Sequence, residues 1–212
     1  MSQEKGNLDH FLTYLSKKKI VLVYSILVFI IIGLGLTLVR PMEFSSQVSL
    51  LIIQKINPNL DAYTAARAAE KMGTNLAAVI HTTSFYDKVI HSNFDLKLNL
   101  PSNERDRRQA WNDKIVTSID SNTSILEITV YDQDRNEAEK LAQVISYILS
   151  TEGSEYHGGG DDIIIKPVNT ALTSDHPTRP NLILNFLASV LGGLILGLMI
   201  VFWQFNKHGY RQ

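Results

Sequence analysis

The sequence predicts an α+β domain held between two transmembrane helices. Three observations carry that prediction. Two long apolar runs lie near the ends, Ile20–Val39 and Leu182–Phe205, and neither contains a charged residue. The stretch between them is ordinary polar protein of about 140 residues, enough for one modest domain. Within that stretch, segments of two-residue apolar alternation are interspersed with segments of helical periodicity.

The first run, "IVLVYSILVFIIIGLGLTLV", is 20 residues long. At about 1.5 Å per residue it spans the roughly 30 Å hydrocarbon layer. The second is 24 residues, with Asn185 its one strongly polar side chain before Gln204. Two buried core helices are the alternative, but both runs exceed most globular helices and the chain offers little protein to surround them. A signal peptide is the competing reading of the first run. Its apolar part is too long for that, and "RPMEF" lacks the small residues of a cleavage site.

The flanks set the orientation. Residues 1–19 hold four Lys against two acids, and the tail "NKHGYRQ" adds Lys207 and Arg211 with no acid. Short basic flanks favour the cytoplasm. The segment from Pro41 to Pro180 has 13 basic and 19 acidic side chains, which fits translocation. Arg40, on the outer side, runs mildly against this pattern. The predicted organisation is a cytoplasmic segment 1–19, a first span 20–39, an extracytoplasmic domain 40–180, a second span 181–203 and a cytoplasmic tail 204–212. Trp203 and Tyr210 are expected near the inner interface.

The domain reads as follows. "FSSQVSLLIIQ" (Phe44–Gln54) alternates as a strand, with Val48, Leu50 and Ile52 on one face. "KINPNLD" is a turn, and Asp61 is a candidate cap for the Ala-rich helix after it, in which Gly73 marks a cost or a close contact. "TSFYDKVIHS" restarts a helix, with Ser84 as N-cap and Asp87 at the third position of an approximate capping box. Ser102 is the candidate cap for "NERDRRQAWNDK". "KIVTSID" and "SILEITVYD" read as two strands, the second pointing Leu126, Ile128 and Val130 one way. Asp134 caps a last helix whose stripe is Ala138, Leu141, Ala142, Ile145, Ile148 and Leu149. "GSEYHGGGDD" is a flexible break. "IIIKPVN" is a final strand, where Pro167 demands an edge or a bulge. The order β-α-β-β-α-β, with an extra helical piece, is the ferredoxin-like split β-α-β arrangement, an antiparallel sheet with its helices on one face.

Chemistry is sparse. Cysteine is absent, so disulfides and cysteine-based metal or nucleophile chemistry are excluded. The net charge is −1, with no basic stripe of the kind nucleic-acid binding needs. "HGGG" (His157–Gly160) is similar to an oxyanion-hole loop, but no G-x-S-x-G elbow accompanies it. His157, Asp161 and Asp162 are too few to define a metal site, and His81 and His91 read as ordinary histidines. "RDRRQAW" groups Arg105, Arg107, Arg108 and Trp111. Glycan or phosphate contact, a subunit interface, and a solvated salt-paired helix face all remain open for it. No catalytic residue and no cofactor are expected. In the second span Gly192, Gly193 and Gly197 offer a small-residue surface, matched by Gly33 and Gly35 in the first, which predicts helix pairing within or between chains.

Two segments carry a resemblance. They are "TSILEITVYDQDRNEAEKLAQVISYIL" (Thr123–Leu149) and "ALTSDHPTRPNLILNFLASVLGGLILG" (Ala171–Gly197). Together with the two spans they resemble the polysaccharide co-polymerases, the Wzz-type chain-length determinants, in the short capsular or exopolysaccharide form. The family's proline motif is matched at Pro177 and Pro180, while Ser174 stands where its first proline falls. Arg135 likewise replaces a common proline, and Gln143 and Val144 occupy the region of an expected Ala-Asn pair. The resemblance implies a non-enzymatic membrane homo-oligomer that works with a membrane polysaccharide polymerase on lipid-linked glycan and sets polymer length. No fused kinase domain is expected up to Gln212, and the resemblance leaves a separate cytoplasmic tyrosine kinase open as a partner, as in the short two-component forms. Two other roles stay open: an adaptor whose main task is to activate that kinase, and a glycan-sensing module.

Overall fold

The computed structural model describes residues 13–55, 61–120, 123–157 and 162–209. Tyr210 and most of the "HGGGD" loop lie outside them. The chain divides into two compact units, residues 42–179 and the two terminal stretches 1–41 and 180–212.

The terminal unit is a pair of helices, α1 (Lys19–Leu38) and, at the other end of the chain, α7 (Leu182–Gly209). Both are long and apolar enough to cross a membrane. Both leave their large apolar side chains open, Ile31 at 71 % and Ile183 at 74 %. A water-soluble core helix would cover these groups; a bilayer solvates them. The protein is a two-pass membrane protein with a large extracytoplasmic domain between its spans. Asn181 starts α7, its side-chain oxygen accepting the Leu184 N–H at 3.0 Å.

Residues 42–179 form an α+β domain. In chain order it contains β1 (Phe44–Gln54), α2 (Ala62–Ile80), α3 (Thr83–Ile90), α4 (Glu104–Lys114), β2 (Ile115–Asp120), β3 (Ile125–Asp132), α5 (Arg135–Glu152), α6 (Ser154–His157), β4 (Ile163–Pro167) and β5 (Leu172–Thr173). The sheet is open, in the order β2-β3-β1-β4, with β5 also on β1. All pairs are antiparallel. β3 therefore lies between β1 and β2, which run the same way.

Strand alternation places Val48, Leu50 and Ile52 of β1 beside Leu126, Ile128 and Val130 of β3 on one buried face. The stripe of α5 packs there, with Ala69, Leu76 and Ile80 of α2 and Phe85 and Val89 of α3. Gly73 marks a close contact. A Cβ there would run into the tip of Ile119, and it would lie 2.9 Å from Ile52 Cδ1. Pro167 sits on β4, which among the described residues pairs only with β1, so Pro167 is on an edge strand, as its missing N–H requires.

Asp61 and Asp134 cap α2 and α5 as expected. Two other caps differ. Thr82, not Ser84, caps α3, its side chain accepting the Phe85 N–H, so Asp87 is not at the capping-box position. Asn103, not Ser102, caps α4 through the Arg105 N–H. In both places several Ser, Thr or Asn residues are adjacent, and the register of burial chooses among them. It is the helix phase that buries Phe85 and Trp111 that is adopted. The start of the expected flexible break is instead ordered, because Ser154–His157 form the short α6, and residues 158–161 lie outside the described residues.

Candidate functional site

Four places gather candidate side chains, and sequence reasoning selects residues in three of them.

The first is the junction of α3 and α4. Trp111 is 1 % exposed, and its indole N–H donates to Ile80 O at 2.9 Å. It packs edge-on against Tyr86 with centroids 5.3 Å apart. This corrects its selection as a glycan or subunit contact: Trp111 belongs to the core, and its ring is not presented outward. The arginines are divided. Arg107 lies over the Tyr86 ring at 5.4 Å, and Arg108 donates to Thr83 Oγ1 at 2.8 Å. Arg105 and Arg108 line an open depression with Asn103, Gln109 and Asn112. His81 is within hydrogen-bond distance of Asn112 Oδ1 and Thr117 Oγ1, and so is held between α4 and β2.

The second place is an open groove of about 810 Å³ between α3 and α5, which the sequence did not single out. Phe94 and Tyr147 form an edge-on aromatic pair there, centroids 5.4 Å apart, and both remain about half exposed. Asp87, His91, Asn93 and Glu152 add polar groups. Lys88 bridges Glu152 at 2.7 Å and Glu155 at 2.6 Å. These hydrogen bonds, that of Glu152 foremost, hold the Lys88 ammonium charged well above the ordinary lysine range. The groove combines aromatic edges with hydrogen-bonding groups, a surface chemistry suited to a hydroxylated ligand. The two aromatics are 53 residues apart in sequence, so only the fold unites them.

The third is the proline-bearing segment. Ser174 and Ser45 pair reciprocally: Ser174 N–H donates to Ser45 O at 2.8 Å, and Ser174 Oγ accepts the Ser45 N–H at 3.0 Å. A proline at 174 has neither the donor nor the hydroxyl. Arg135, at the first turn of α5, pairs with Asp175 at 2.9 Å. Arg179 was not among the expected residues. Its guanidinium lies 3.3 Å from the Tyr131 ring centroid and donates to Asp113 O at 2.9 Å. Its backbone pairs with Glu43, so the two ends of the domain leave side by side. Pro177 is exposed and Pro180 half-buried.

Within the membrane pair, the glycines separate by role. A Cβ on Gly193 would lie 2.6 Å from Ile26 Cα, and one on Gly192 3.0 Å from the Phe29 ring. One on Gly197 would meet Ser25 Oγ and Leu22, and one on Gly33 would meet Ser189. Gly35 faces open space and takes no part in this contact. Ser25 Oγ donates to Gly193 O at 2.9 Å across the interface.

Among the described residues no group of three or more His, Asp or Glu is placed to hold a metal ion. His157 to Asp161 falls largely outside those residues. No protein-family model matches the chain, and no curated protein matches it.

Proposed function

We propose that this protein is a non-enzymatic regulator of surface-polysaccharide chain length, acting as a membrane homo-oligomer beside a polymerase that extends lipid-linked glycan. The observation that carries the reading is the architecture. An α+β domain lies in the sequence between two membrane spans, and Glu43 and Arg179, near its two ends, pair with each other. The proline segment is bonded to the domain rather than free, through Ser174 to Ser45 of β1 and through Arg179 to Glu43 and Asp113. Such a fastening suits a domain that passes a mechanical or packing signal to its spans. The cytoplasmic flanks are the surface on which a separate tyrosine kinase would dock.

The test compares polysaccharide length on a gel between a strain lacking the gene and one restored with it. A lost or shifted modal length on deletion, recovered on complementation, supports the regulator. Normal polymer with an unchanged length profile rejects it.

A second reading, a glycan-sensing module, is favoured by the aromatic groove at Phe94 and Tyr147. It predicts saturable glycan binding by the full-length protein, weakened by Tyr147→Ala, with no effect on polymer length.

A further inference from the structure

On the side of the membrane pair, near its extracytoplasmic end, α1 and α7 leave a groove of about 410 Å³. Its walls are Phe29, Ile32, Leu36 and Ala188, and its polar floor is Thr37, Asn185 and Ser189. We propose that this groove seats an anionic phospholipid of the outer leaflet, its phosphate at Arg40 and Asn185 and an acyl chain along the apolar walls. The inference rests on the two-pass topology and is independent of the chain-length reading.

Arg40 carries the first part of the argument. It closes the first span on the extracytoplasmic side, against the usual distribution of positive charge. Among the described residues its guanidinium makes no ion pair and no hydrogen bond. The groove it borders contains no acidic residue. The site therefore has one uncompensated cation, and a phosphate diester is the anion that a bilayer supplies at that depth.

Asn185 carries the second. One amide N–H donates to Thr37 Oγ1 at 3.1 Å, and Thr37 in turn donates to Gly33 O at 2.7 Å. The other amide N–H has no partner among the described residues, and the side chain is only half buried. A half-buried donor beside an arginine is available to a lipid phosphate or ester oxygen. Asn185 lies three residues into α7, about 4.5 Å below the helix start, which is headgroup and glycerol depth. Gly33, also on the groove, has no side chain where Ser189 approaches, so the two helices meet closely at its edge.

The competing occupant is a helix from a second copy. It does not fit the charge. Ile20–Val39 and Leu182–Phe205 contain no acid, so a second copy's span would cover Arg40 without pairing it.

The chain has no cysteine, so a single bimane label at Leu36→Cys reports the groove alone. The full-length protein is placed in phosphatidylcholine vesicles doped with either brominated phosphatidylglycerol or brominated phosphatidylcholine, and quenching is compared. The expected preference for phosphatidylglycerol is about fivefold, the ratio for one basic group at an anionic surface. Arg40→Gln should remove it, Arg40→Lys should keep most of it, and Asn185→Ala should reduce it. A label at Met199→Cys, in the half of the membrane nearer Lys207, should be insensitive to Arg40→Gln. Three results would each overturn the proposal: equal quenching by the two lipids at Leu36→Cys, a preference that survives Arg40→Gln, or no quenching by either lipid, which would mean that another helix fills the groove.

Discussion

Gly193 provides the sharpest test of how the two spans are held. A Cβ at this position would sit 2.6 Å from Ile26 Cα and 3.0 Å from Ser25 O. Both neighbours are backbone, so no rotamer change relieves the clash. The first distance is about 0.8 Å short of ordinary contact, and the helices must part by a comparable amount. Forced overpacking of this kind costs about 1–3 kcal/mol. Separation also stretches the Ser25 Oγ to Gly193 O bond, now 2.9 Å, and interhelical hydrogen bonds in membranes are worth about 0.6 kcal/mol and at most about 1.7. Replacing a helical glycine returns roughly 0.8 kcal/mol of propensity. Gly193→Leu should therefore weaken the pair by about 1–3 kcal/mol. Gly35→Leu, with nothing within 4 Å, should leave it intact. Spin labels at Val28→Cys and Leu191→Cys, both exposed to lipid, report the separation by pulsed electron resonance. Dilution with unlabelled protein removes signals between chains. A longer and broader distance distribution in Gly193→Leu alone is expected. An unchanged distribution would refute the idea that close backbone approach at Gly193 holds the pair.

The domain offers further predictions. Trp111→Phe keeps a smaller aromatic ring but leaves Ile80 O without its donor, so it should cost about 1–3 kcal/mol in a denaturant titration followed by circular dichroism. Trp111→Ala should cost about 3–5 kcal/mol by the same measurement. Ser174→Pro removes two hydrogen bonds to Ser45, a loss of about 2 kcal/mol, and it should speed amide exchange at Ser45. Unchanged protection at Ser45 would show that the pairing is not maintained in solution. Lys88→Met should lower stability at neutral pH by up to about 1 kcal/mol. The folded pKa of Lys88 is raised, so its contribution is complete below the unfolded value near 10.4 and is lost as pH rises through the folded one. The gap between Lys88→Met and the parent should therefore hold from neutral to mildly alkaline pH and close only in strong base.

Much of this molecule is legible in the sequence because its signals are local. Strand alternation at Val48, Leu50 and Ile52, the stripe of α5 and the two charge-free runs each depend on neighbours within a turn or two. The caps at Asp61 and Asp134 succeed for the same reason. The failures share a different cause. Thr82 and Asn103 win over Ser84 and Ser102 because helix phase is set by burying Phe85 and Trp111, which lie in a core assembled from distant segments. The aromatic groove joins Phe94 to Tyr147, and Arg179 reaches Tyr131 and Asp113, across separations no local pattern encodes. Trp111 shows the limit most plainly. An Arg-Trp cluster on a polar helix has the composition of a contact surface. Arg105 and Arg108 of the same helix are exposed, yet the tryptophan turns inward, where Ile80 offers a carbonyl to its N–H and Tyr86 packs against its ring. Composition named the cluster, and tertiary packing divided it into a core residue and a charged rim. The same division explains Ser174. By sequence it is one more small polar residue in a loop, but beside Ser45 it is a donor and an acceptor that a proline would forfeit, and so it fastens its segment to β1.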